Sequence, residues 1–205
     1  MTVAIQRAKR RQLREETRAQ ILQAAHQFLR KRSFRELSVD ALMEGTGHSR
    51  TVFYRHFPDI PSLVLTLIDE VGAELVEVAN TWAQTDHVGA EDARERLALL
   101  VDFYVRNGPL VHAVAEAAHH DEAVEQAYNG MVDGFIELTA NAIETRVQTG
   151  ELAPVDAPEI ARALVRMLGG YLDDALGREP QTDPARVLDT VWTIWTRTLF
   201  PSDAA

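Results

Sequence analysis

Residues 38–57, SVDALMEGTGHSRTVFYRHF, decide the fold of this 205-residue chain. Ser38 is a good N-cap, and Val39, Leu42 and Met43 fall on one face of the short helix that would follow it. Gly45-Thr46-Gly47 interrupts that helix, since glycine supplies the positive φ that a sharp turn needs. Ser49 is a second N-cap and opens a short helix over residues 50–56. Two short helices across a glycine turn have the form of a helix-turn-helix, whose second helix enters the DNA major groove by its N-terminal end. Here that end carries Ser49, Arg50 and Thr51, all able to hydrogen-bond to bases or phosphates. Spacing alone fits a plain helical corner equally well.

The charge distribution favours nucleic acid. Residues 1–60 hold 12 Lys+Arg and 6 Asp+Glu, a balance of +6, while the remaining 145 hold 9 and 25, a balance of −16, within a net charge of −10. A basic head on an acidic body suggests a polyanion partner for the head, and the body should repel DNA and so orient the protein on it. Residues 1–14 contain Arg7, Lys9, Arg10, Arg11 and Arg14. They read as a solvated, disordered tail or as an arm that neutralises phosphates or enters a minor groove, and the two readings are compatible. A first helix over residues 15–32 presents Ile21, Leu22, Ala25, Phe28 and Leu29 on one face, with Phe34 and Leu37 expected beneath the two short helices. Phe53 and Phe57 are i,i+4 and should face the core of this three-helix head, leaving Tyr54 and His56 free to reach phosphate.

The remainder reads as all helix, about nine helices in the whole chain. Asp59-Ile60-Pro61 opens a long helix to about residue 84 whose stripe, from Val64 to Trp82, connects head to body. Further helices are expected at 90–107, 109–119, 121–149, 156–177 and 183–200, with Gly108-Pro109 as a stop, Gly150 as a left-handed cap and Asp156 with Glu159 as a capping box. The domains are then a basic arm and DNA-binding head at 1–57 and a ligand-binding and dimerisation body at 58–205. The chain has no cysteine, which excludes disulfides, thiolate catalysis and Cys-based zinc sites and fits a reducing cytoplasm. No apolar run approaches a membrane span, and the basic N-terminus lacks the apolar region of a signal peptide. There is no Ser/His/Asp constellation, Gly-rich phosphate loop or carboxylate pair beside an apolar pocket, so an enzyme is not expected. His119-His120 with His112 makes a poor metal site, because adjacent histidines point about 100° apart on a helix. No metal or cofactor is expected.

Ser38-Val39, Gly47, Ser49-Arg50, Phe53-Tyr54 and His56-Phe57-Pro58 together resemble the head of the TetR family of one-component transcriptional regulators. The family pattern is roughly G-x-S-[RKP]-x-x-[FL]-Y-x-[HY]-F-x-[SDN]-K, near the N-terminus of a helical chain of about this length. Within the family, residues 185–195, ARVLDTVWTIW, are similar to the tail of the ethionamide-type regulators of mycobacteria, a shorter match. The resemblance implies a homodimeric repressor whose two heads sit in successive major grooves of a palindromic operator. A small molecule in the body would change the spacing of the heads and release DNA. It implies that Ser49, Arg50, Thr51 and Tyr54 contact bases or phosphates and that His56 contacts a phosphate. Ser38, Thr46, His48, Arg55 and the arm's Arg10, Arg11 and Arg14 complete the candidate DNA-binding set. The lysine that the family places at the start of the fourth helix is missing, with Ile60 and Pro61 in its neighbourhood, and the basic arm is expected to compensate.

In the body, Tyr128, Val132, Phe135 and Thr139 share one face of the long helix, at i, i+4, i+7 and i+11. Val101 with Val105, and Val165 with Leu168 and Leu172, make matching faces, and Trp82 and Trp195 would close the ends. Such stripes serve as core or as the lining of a ligand cavity. In ethionamide-type relatives the corresponding positions line a long apolar tunnel with asparagines on the penultimate helix. None stands between Asp156 and Gly177 here, which suggests a more hydrophobic effector, lipid-like or aromatic, with Tyr128, Thr139 and Trp195 as polar handles. Gly169-Gly170 suggests a close helix approach. Leu164, Met167, Gly170 and Tyr171, with Leu188, Val191, Trp192 and Leu199, give the last two helices a second apolar face, which together with the family points to a four-helix dimer interface. Arg162, Arg166 and Arg178 near Asp173-Asp174 read as surface or interface ion pairs. The competing classes are an all-helical carrier or enzyme with an incidental helix-turn-helix, and an activator of the same family.

Overall fold

The computed structural model describes residues 2–83 and 90–200, and all their side chains except those of 2–4, 79–83, 90 and 91. Helical periodicity is realised among these residues as eight α-helices and one 3₁₀ turn (Phe34–Glu36), with no strand. The head comprises α1 (Thr2–Leu29), α2 (Val39–Glu44) and α3 (Arg50–Tyr54). The body comprises α4 (Ile60–Ala83), α5 (Ala90–Ala118), α6 (Glu122–Gln148), α7 (Ala157–Leu176) and α8 (Pro184–Leu199). Within the body, α6 packs on α4, α5 and α7, and α5 also packs on α7 and α8.

Local chemistry sets the boundaries. Ser38 Oγ accepts the Ala41 N–H at 3.2 Å, and an Asp59 carboxylate oxygen accepts the Ser62 N–H at 2.8 Å. Asp121 and Asp156 cap α6 and α7 in the same way, through the N–H groups of Val124 and Glu159. Ser49 occupies the N-cap position of α3 without a side-chain cap bond. In the turn between α2 and α3, Gly47 takes the positive φ, at 70°, while Gly45 stays right-handed at −75°. Gly150 ends the α6 turn at φ 78°.

Two expectations are corrected. Residues 2–14 continue α1 instead of forming a separate tail. Gly108-Pro109 does not stop a helix: α5 runs through both, which merges two expected helices into one. Proline lacks the N–H that would bond the Val105 carbonyl one turn earlier. The Gln181 side-chain amide supplies it, with Nε2 donating to Val105 O at 3.3 Å and to Leu176 O at 2.9 Å. Gly108 marks the point where the end of α7 crosses α5. A Cβ there would overlap the Leu176 carbonyl oxygen and lie 2.8 Å from its carbon.

One apolar core runs the length of the chain, from Ile21, Leu42, Phe53 and Phe57 through Leu63, Leu67 and Leu75 of α4 to Leu97, Phe103, Leu172 and Trp195. A smaller cluster of Val64, Ile68, Val114, Ala117 and Val124 forms the joint between head and body, with Ile60, Phe34 and Tyr128 against it. Phe34 therefore serves the joint and not only the underside of the short helices. Its ring lies beside His120 with centroids 6.4 Å apart, and its N–H donates to Glu116 Oε2 at 3.1 Å. Glu116 also pairs with Arg35 Nε at 3.0 Å, so the end of α5 grips the turn that precedes α2.

Three residues expected at an interface between copies, Leu164, Val191 and Leu199, are instead buried in the chain's own core. Gly169 and Gly170 make no close approach to another helix, since a Cβ on either would meet nothing within 4 Å. The arginine pairs mostly cross between helices. Arg166 reaches Asp133 on α6 and Arg178 reaches His112 on α5, while Arg162 alone stays local, with Glu159.

Candidate nucleic-acid interface and ligand cavity

The α3 surface of the head is polar because its apolar residues point inward. Phe53 is fully buried and Phe57 nearly so, their rings 5.7 Å apart, while Ser49, Arg50, Thr51, Tyr54 and Arg55 are exposed. Arg50 is held before any DNA arrives: Nη2 donates to Tyr54 Oη at 3.2 Å and Nη1 pairs with Asp40 at 2.9 Å. The Tyr54 hydrogen bond, followed by the Asp40 charge, raises its pKa. His48 Nε2–H donates to Gln20 Oε1 at 2.8 Å, which ties the turn to α1.

Thr46 is occupied within the turn, not presented outward. Its hydroxyl donates to Met43 O at 2.9 Å and accepts the His48 N–H at 3.1 Å. Ser38 is likewise engaged as a cap. On α1, Arg10 and Arg11 are exposed, and Arg11 Nε donates to Glu15 at 2.8 Å. Arg14 donates to the Arg55 carbonyl at 3.3 Å, joining α1 to the end of α3.

His56 is half-buried at the centre of this surface. Burial pushes its pKa down, and the charges of Arg14, Arg18, His48 and Arg55 push it further. Arg18 is the residue that sequence reading missed, although it follows Arg14 by one helical turn. Its guanidinium lies over the Phe57 ring, 5.1 Å from the centroid, and donates to Thr66 Oγ1 at 3.1 Å. At the start of α4, where the family's lysine is absent, stands the Asp59 carboxylate, whose pKa the Ser62 hydroxyl and N–H hold down. The exposed cations on this side of the head thus stand on α1, on α3 and just after it, while α4 carries none.

A depressed histidine pKa carries a definite sign. The folded head resists the proton, so His56 costs stability as pH falls through the ordinary histidine value of about 6.5. A phosphate opposite His56 would reverse that preference and draw a proton in on binding. Operator affinity should therefore tighten as pH is lowered from about 7 to about 6. His56→Gln should flatten this dependence, read by fluorescence anisotropy of labelled DNA. An unchanged pH slope in the variant would remove His56 from phosphate contact.

The body holds a partly open cavity of about 320 Å³. It brings together Tyr128, Val132, Phe135 and Thr139 from α6, Val165, Leu168 and Leu172 from α7, and Trp195 from α8. The α5 contribution differs from expectation. Leu97, Leu100, Tyr104 and Val111 line the space, while Val101 is buried in core beside it and Val105 lies outside the lining. The Trp82 side chain lies outside the described residues. Reading by stripe also missed Met131, Leu138, Arg166 and the Gly169-Gly170 pair.

Burial raises the pKa of both cavity phenols, Tyr104 and Tyr128, and the Asp173 carboxylate adds to it, so both remain protonated donors. Asp173 is itself held by His112, whose Nδ1–H donates to the carboxylate at 2.9 and 3.0 Å while Nε2 accepts from Arg178 at 3.0 Å. His119 Nδ1 bonds its own helix at Ala115 O. Among the described residues no three metal-ligating side chains converge. No helix among them is long and apolar enough to cross a membrane.

With this geometry in place, comparison with known proteins is informative. The family model described as "Bacterial regulatory proteins, tetR family" matches residues 21–67, and "Transcriptional regulator EthR, C-terminal domain" matches residues 93–201. The HTH-type transcriptional regulator EthR of Mycobacterium tuberculosis (strain ATCC 25618 / H37Rv) is 30% identical over 185 residues, covering 88% of this chain and 85% of the relative. The EthR of Mycolicibacterium smegmatis is 26% identical over 190 residues, covering 91% and 87%. Among solved structures, Salmonella enterica GusR superposes with a TM-score of 0.70 at 21% identity, covering 90% of this chain and 95% of that one. A transcriptional regulator from Saccharomonospora viridis in complex with choline gives 0.70 at 19% identity, covering 89% and 96%. At these identities the two structures speak for the fold alone.

Proposed function

Because the chain belongs to the TetR family of transcriptional regulators, with an EthR-type body, we propose that it is a repressor that binds a palindromic operator as a homodimer and releases it when a hydrophobic small molecule enters the body. The chain is a regulator and not an enzyme. The observation that carries the DNA reading is the convergence of Arg14, Arg18, His48 and Arg55 around His56, with Arg50 exposed on α3, on a chain whose remainder is strongly acidic. The apolar cavity, with two protonated phenols inside it, supports an effector that is mostly hydrocarbon with a few hydrogen-bonding atoms.

The dimer reading rests on the outer face of α7 and α8. Met167 and Ile194 are 41% and 37% exposed, large apolar side chains with nothing over them in a single chain. Gly170 is open one turn from Met167, and Leu188, Tyr171 and Trp192 are half-buried on the same two helices. A second copy laid along α7 and α8 would cover part of this apolar surface.

A gel shift with the DNA upstream of the chain's own coding sequence tests the core of this reading, and no shift at low salt would overturn it. The same assay measures the arm. Deleting residues 1–14 removes Arg10, Arg11 and Arg14 from both protomers of the dimer, and the slope of log K against log salt should fall by roughly 5, at roughly 0.9 per phosphate neutralised. An unchanged slope would take the extended end of α1 out of phosphate contact.

A further inference from the structure

We propose that the effector is an amphiphile with a carboxylate head, its head on Arg166 and its apolar chain in the cavity. This rests on reading the cavity as the effector site. Among the described residues, Arg166 is the only charged one in a lining otherwise made of apolar side chains, glycines, the hydroxyls of Tyr104, Tyr128 and Thr139, and Trp195. It stands on α7 one turn from Gly169 and Gly170, which also border the cavity and whose missing side chains leave open space. One border of the cavity is therefore a guanidinium beside bare helix backbone, with room for a head group.

The present partner of Arg166 does not use up its capacity. Nη2 lies 3.5 Å from Asp133 Oδ1, and the two side chains are 47% and 63% exposed. A long pair in this much water is weak. A guanidinium offers five N–H donors and matches a carboxylate in a bidentate fork. The second carboxylate nearby, Asp173, is already engaged by His112. Tyr128 lies within electrostatic reach of Arg166 and is protonated, so it adds a donor where acceptor oxygens would sit. A cationic head would find no partner in Arg166 itself, and a purely apolar ligand would make no use of it.

The test is calorimetric titration of the full-length protein with decanoate, decanol and decylamine, which share a chain and differ in head. The wild type should bind decanoate most tightly and decylamine least. R166Q should erase the preference for decanoate over decanol, a loss of roughly 5- to 10-fold for a partly exposed charged hydrogen bond. D133N, which removes the competing carboxylate, should tighten decanoate roughly twofold. Equal affinity for decanoate and decanol in the wild type, or an R166Q variant that keeps the preference, would overturn the proposal and leave the cavity reading intact. Binding of none of the three would overturn both.

Discussion

Gly108→Ala is expected to destabilise the chain by more than about 3 kcal/mol, at or beyond the upper end of what overpacking usually costs. The added methyl would occupy the space of the Leu176 carbonyl, and that obstacle is backbone, with no rotamer to retreat into. The end of α7 must therefore lift from α5. Leu176 is fully buried, so lifting it opens core as well. In thermal denaturation this amounts to a drop of roughly 6–12 °C for a chain of this length. Both helices border the cavity, so decanol affinity should fall in whatever folded protein remains. A change below about 1 kcal/mol would mean that the crossing slides without cost.

Phe53→Ala should cost about 3–5 kcal/mol, the range for truncating a fully buried phenylalanine. Phe53 is 0% exposed and packs edge-on against Tyr54 and tilted against Phe57. It is the floor on which the five-residue α3 rests, and so short a helix has little stability of its own. The cavity lies in the other half of the same core. Operator binding should vanish at temperatures where ligand still binds, measured by gel shift and calorimetry on one preparation. Retained operator affinity would show that α3 is held by its hydrogen bonds at Arg50 and Arg14 instead.

The head was legible nearly residue by residue because its signals are local. Ser38, Gly47 and the Phe53/Phe57 spacing each act within one or two turns. What escaped there, Arg18 near His56 and the closed hydrogen-bonding of Thr46, depends on how α1 lies against α3. In the body the helices were legible and their phase was not. On α5, Leu97, Leu100 and Tyr104 lie one row from Val101 and Val105, and both rows are apolar. Periodicity cannot tell which row meets empty space and which meets a neighbouring helix. Gly108-Pro109 misled for a related reason: Gln181, more than seventy residues away, supplies the hydrogen bond that lets α5 continue. Gly169-Gly170 carried a real signal, an unusual pair in mid-helix, but the structure assigns it to open space at the cavity's edge and the outer face.

The grip of Glu116 on the turn before α2 bears on how such regulators can be recombined. Exchanging heads between relatives is an attractive way to send one effector's signal to another operator. In this chain the seam is not a neutral linker. Phe34 and Arg35 belong to the head by sequence, yet their N–H and guanidinium are held by a carboxylate 82 and 81 positions further on. A transplanted head lacking an aromatic residue at the first position would leave the joint underfilled. One with an acidic residue at the second would set two carboxylates against each other. Chimeras should therefore carry the 3₁₀ turn with the recipient body, cutting after Glu36 rather than at the end of α3, and take the first helix from whichever parent matches it.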